Sequence, residues 1–144
     1  MAVKRSRGVV IQTSLILAAL VSLFGCHGVP DSDIAYFKIA GATEVDAFVI
    51  ALNDPAVIAE ARAQAGGQEP VKHVTGIVVP EVAPYNAPWS FHLDPASISF
   101  AEMSIEVCDA ATSYVEAHLA EVGGAFLPGG RWCPWSSRVI VEVR

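Results

Sequence analysis

Basic residues are scarce in this chain: nine Lys and Arg stand against fifteen Asp and Glu in 144 residues. Three of the nine, Lys4, Arg5 and Arg7, fall in the first seven positions, ahead of any acidic residue. Beyond residue 25 the balance is six basic to fifteen acidic, a formal net charge of −9. So little positive charge argues against neutralising a phosphate backbone, and hence against nucleic-acid binding. Direct attraction to an anionic bilayer is disfavoured for the same reason. Catalytic signatures are also missing. There is no G-x-S-x-G turn, and Ser136 and Ser137 have no histidine nearby in sequence. No acidic run has EF-hand spacing, and no glycine pair follows a strand as a phosphate loop would. Carboxylates are numerous enough that some pair could always flank a glycosidase cleft, so their count points nowhere. Cysteine is sparse: Cys26, Cys108 and Cys133, with no C-x-x-C and no pair at the short spacing of zinc sites.

What is present begins at the N-terminus. The basic start is followed by a run from Val9 to Phe24 that is apolar apart from Gln12, Thr13, Ser14 and Ser22. This is the pattern of a secretory signal, although the run is long enough that an uncleaved anchor helix is the rival. Leu23-Phe24-Gly25-Cys26 resembles the lipobox of bacterial lipoproteins, with Phe24 where a small residue is more usual. That resemblance implies a lipid on Cys26, cleavage before it, and attachment to the outer side of a bacterial membrane; one acyl chain holds marginally and two or more hold firmly. The expected organisation is a signal peptide over 1–25, a lipidated cysteine and tether over 26–33, and one globular domain over 34–144.

With Cys26 assigned to lipid, Cys108 and Cys133 remain as an even pair outside the cytoplasm. The spacing and compartment favour a disulfide over two metal-ligating or two free buried thiols.

Segments 36–41 and 46–52 read as strands. In the second, Phe48, Ile50 and Leu52 alternate with Ala47, Val49 and Ala51, so both faces are apolar and a central position in a sheet is expected. Asp54 as N-cap, Pro55 at the first position and Gly66-Gly67 as a stop predict a helix with Val57, Ile58, Ala61 and Ala65 on its core stripe. Strands are expected at 71–79, 89–94 and from Ile98 through Val107, the last with a bulge at Ala101-Glu102. A second helix follows, capped by Asp109 or by Ser113 in a box with Glu116, with Ala111, Val115, Leu119 and Val122 on its stripe and Gly123-Gly124 as its end. Residues 138–143 close the chain as a strand. The order β-β-α-β-β-β-α-β predicts a two-layer α+β domain: a mostly antiparallel sheet of five to six strands, two helices packed on it, and one disulfide.

Candidate chemistry concentrates in YNAPWSFHLDP. His92 and Asp94 share a strand face and could ligate a metal or act as an acid–base pair, with His73 as a possible third ligand. A half-exposed strand face with a hydrogen-bonded histidine explains them equally. His118 and Glu121 lie one helical turn apart, which a polar helix face also explains. Trp89, Trp132 and Trp135 flank two loops; they could line a groove for a sugar or a proline-rich peptide, or simply cover the disulfide.

The residues Asn86, Trp89 to Pro95, Glu106 to Asp109 and Trp132 to Ser136 together resemble the N-terminal-type domain of a slime-mould calmodulin-binding protein. The likeness covers most of residues 34–144. It implies an extracytoplasmic domain with Cys108 and Cys133 in its framework, and no reaction or cofactor. Calmodulin binding is not carried over, because no basic amphipathic helix is present. The expected function is a lipid-anchored binding module of the cell envelope for a protein, peptide or glycan. The alternatives are a small metal-assisted hydrolase using His92 and Asp94, or a secreted protein inhibitor.

Overall fold

The computed structural model describes residues 34–41 and 47–144; the leader, Cys26 and the tether lie outside them. Alternation in AYFKIA makes β1 (Ala35–Ala40), burying Ala35, Phe37 and Ile39 while Tyr36 and Lys38 stay half-buried. β1 lies between β2 (Phe48–Leu52) and the C-terminal β9 (Arg138–Val143), antiparallel to both. The β1–β9 register shifts between Lys38 and Ile39, leaving Ile140 as an extra residue on β9.

β2 is therefore an edge strand and not the central one its composition suggested. Its apolar outer side is covered by a loop. Asn86 Oδ1 accepts the Val49 N–H at 2.7 Å, and the Trp89 indole donates to Ala47 O at 2.9 Å. Side chains thus close an edge that a strand would otherwise pair.

Helix α1 (Pro55–Ala65) forms as its caps predict: Asp54 Oδ1 accepts from Ala56 N and Val57 N, and Gly66 N donates to Arg62 O. Ile58 and Ala61 are buried against the sheet, with Val57 and Ala65 packed at their margin. Arg62 forks onto Glu142 of β9 at 2.6 and 2.8 Å; at this exposure such a pair contributes under about 1 kcal/mol.

The second sheet is built around β3 (His73–Val79). Successive stretches of β3 pair antiparallel with β4 (His92–Leu93) and β5 (Ser99–Ala101), and its middle pairs with β8 (Arg131–Trp132). Between the sheets lies one core containing Phe37, Phe48, Ile50, Phe91, Leu93 and Trp132, each fully buried. Each such side chain stabilises the fold by about 1.5–3 kcal/mol relative to exposure.

The α+β class and the element order hold, with three short strands inserted after the second helix: β6 (Val122–Gly123), β7 (Phe126–Pro128) and β8. Three segments differ from expectation. In 89–94 only His92 and Leu93 pair, because the preceding residues leave β3 to cover the β2 edge. Met103, Ile105 and Val107 do not continue β5. Ala101 already pairs with His73, the first residue of β3, so the ladder has no partner left, and Glu106–Cys108 turn as a 3₁₀ segment. Helix α2 (Thr112–Ala117) is short, and its N-cap, Ala111, has no side-chain hydrogen bond. Its expected capping carboxylates are used elsewhere: Asp109 accepts Trp135 N, and Glu116 accepts Ser90 N. Gly123 falls in β6 and does not end the helix.

Candidate functional site

Two loops, 106–112 and 131–137, are too irregular to hold themselves by backbone ladders, and cross-links between them supply the order. Cys108 and Cys133 form the disulfide, their Cα atoms 5.2 Å apart, and Cys133 N donates to Cys108 O at 2.8 Å. The Trp132 indole N–H reaches Ala110 O at 2.8 Å, while its ring packs edge-on to Phe48 and Phe91 at 5.2 and 5.7 Å. Asp109 Oδ1 takes the Trp135 N–H at 2.9 Å. Ser137 Oγ accepts from Val74 N at 2.9 Å, tying the second loop to β3.

Clamped this way, the loops and the end of β1 enclose a concavity of about 280 Å³. Its floor is Ile39, Phe48, Trp132 and Ser137, all buried; its rim is Asp109, Ala111 and Ser136, all exposed. Trp132 closes the floor but presents no accessible surface. The rim carboxylate uses one oxygen on Trp135 N, and no hydrogen bond among the described residues engages the Ser136 hydroxyl. The site can accept one small polar or cationic group over an apolar base. It holds no general base beside a nucleophile.

The other candidates are dispersed. His92 Nδ1 is 2.8 Å from Glu81 O, so this nitrogen carries the proton and donates; the ring meets Tyr85 edge-on. Asp94 Oδ1 accepts Ala96 N and caps the 3₁₀ turn Pro95–Ser97. His73 is buried with its Nε2 on Ser104 Oγ, and His118 Nδ1 donates to Tyr114 O under a stacked ring. Among the described residues, no three His, Cys, Asp or Glu side chains gather as a metal site would require. The tryptophans share no groove: Trp89 caps the β2 edge, Trp132 is core, and Trp135 is exposed. Cys26 lies outside the described residues. Reasoning from sequence missed Asp109, Ser136 and Ser137 as site residues. Asp109 and Ser136 sat in the E-x-C-D and W-C-P-W-S runs, and a disulfide between those runs was the signal that could have found them.

The fold and site define a small α+β domain whose disulfide-clamped loops carry a shallow concavity. The chain belongs to the calmodulin-binding protein N-terminal domain family, whose model matches residues 33–144. The resemblance carried by Asn86, the W-S-F-H-L-D-P run, E-V-C-D and W-C-P-W-S is thus to its own family. No curated protein and no solved structure matches the chain.

Proposed function

We propose that the protein is a non-catalytic binding module of the cell envelope, anchored by lipid on Cys26, that takes its ligand at the Asp109–Ser136 concavity. The observation that carries the reading is the convergence of the two cysteine-bearing loops on that one hollow, with a charged rim and an apolar floor. A disulfide in a chain this short suits an oxidising compartment, which agrees with the leader. The hydrolase alternative is weakened because His92 and Asp94 are each engaged with backbone.

The test uses the full chain in a bacterial host. Mass spectrometry of the mature protein should show a blocked, diacylglyceryl N-terminal Cys26, and Cys26→Ser should leave the membrane fraction as a processed soluble form or accumulate unprocessed. Native protein that is unacylated yet cleaved elsewhere would overturn the anchor. Near-stoichiometric metal that disappears on His92→Ala would overturn the non-catalytic reading in favour of the hydrolase.

A further inference from the structure

The loops that frame the concavity also expose apolar side chains: Met103 is 87%, Ile105 69%, Val107 58% and Trp135 46% accessible. They belong together because the disulfide joins their segments. Ile105 O is 3.1 Å from Cys108 Sγ and 3.8 Å from Cys133 Sγ, and Trp135 N is held on Asp109. Single exposed apolar residues need no explanation, but several on two clamped segments beside a hollow mark a contact surface. Glu102, Glu106 and Asp109 surround them, all exposed. The ion pairs among the described residues are Arg62–Glu142 and Lys72–Glu60, so none of these three carboxylates is in one.

We propose that this face docks a basic, apolar segment of a partner protein. A cationic side chain enters the concavity toward Asp109 and Ser136, and its apolar neighbours rest on Ile105, Val107 and Trp135. Charge decides the occupant. A second copy would bring carboxylates against carboxylates, and an anionic bilayer would be repelled in the same way. Position agrees. The tether joins at the start of β1, whereas Gly41 at its far end lines the concavity; six residues of strand put about 20 Å between them. The face therefore looks away from the point of attachment. The inference rests on the binding-module reading.

The experiment measures binding of the full chain in detergent to a 12-residue peptide of alternating Lys and Leu, and to its Glu–Leu twin, by anisotropy. Three variants are compared: Glu106→Lys; Asp109→Asn with Val107→Ser; and, as a matched acidic–apolar control at the other end of β3, Glu81→Gln with Val82→Ser. We expect the basic peptide to bind at least about tenfold tighter than the acidic one, and either docking-face variant to weaken it about fivefold or more, with the control unchanged. Equal losses in control and docking-face variants would show attraction to net charge alone and overturn the proposal, as would no binding, or tighter capture by phosphatidylglycerol vesicles than by peptide. Circular dichroism of each variant separates lost docking from lost fold. Since Cys26 is untouched, failure here leaves the anchor test to stand or fall by itself.

Discussion

Asn86 joins two parts of the fold with one side chain: its Oδ1 accepts Val49 N at 2.7 Å and its Nδ2 donates to Phe91 O at 3.0 Å. The residue is 1% exposed, so neither partner can turn to water if the amide is lost. Removing it strands a donor on β2 and an acceptor before β4. Asn86→Ala is expected to lower unfolding free energy by about 3 kcal/mol, from two buried groups at about 1–3 kcal/mol each. Asn86→Asp should also destabilise, because a carboxylate cannot donate to Phe91 O. Urea unfolding checks both; a shift below about 0.5 kcal/mol would refute the bridging role.

Gly76 lies in the middle of β3, and a Cβ there would sit 3.0 Å from Leu93 Cδ1 and 3.3 Å from Ile98 Cγ1. Both neighbours are buried, so neither can swing outward. Gly76→Ala should cost about 1–3 kcal/mol by overpacking. A melting temperature equal to that of the parent would show that the β3–β4 contact is looser than described.

Tyr85 is a titration probe of the loop that covers β2. Burial, and then the neighbouring Tyr36, hold its phenol above its ordinary value. The folded protein keeps this proton more tightly than the unfolded chain does. Its contribution is therefore intact below about pH 10 and is lost as pH rises from there through the folded value. Absorbance at alkaline pH should show one of the three tyrosines ionising late. Tyr85→Phe should remove that late step and leave the other two; loss of an ordinary step would contradict the assignment.

The disulfide closes a 25-residue separation. In the chain-entropy model its loss costs about 3 kcal/mol. Cys108→Ala with Cys133→Ala should lower stability by about that amount and, because Trp135 is placed through the adjoining loop, change the tryptophan emission of the folded state. Unaltered emission would mean that the loop order comes from the Trp132 and Asp109 contacts alone.

Much of the fold was legible. Caps and a stripe announced α1, alternation announced β1, β3 and β9, and an even cysteine pair announced the cross-link. What escaped notice was set at long range. β2 has the two apolar faces of a central strand, yet it sits at an edge because Asn86 and Trp89, about forty residues away, cover it. Met103, Ile105 and Val107 alternate like a strand but have no strand to lie against once β3 has begun at His73. Asp109 and Glu116 are good capping residues by spacing, but loop amides from distant positions take their oxygens. The candidate site was hidden for the same reason. Its rim is a meeting of two loops, and only the tertiary cross-links bring Asp109 to Ser136.

The extra residue on β9 matters at high concentration. Along that outer margin the amides and carbonyls are out of step on either side of Ile140, so a foreign strand laid against it would match for only two or three residues before losing its rhythm. Molecules crowded side by side would thus be poor templates for one another, and no endless ribbon could propagate from this flank of the sheet.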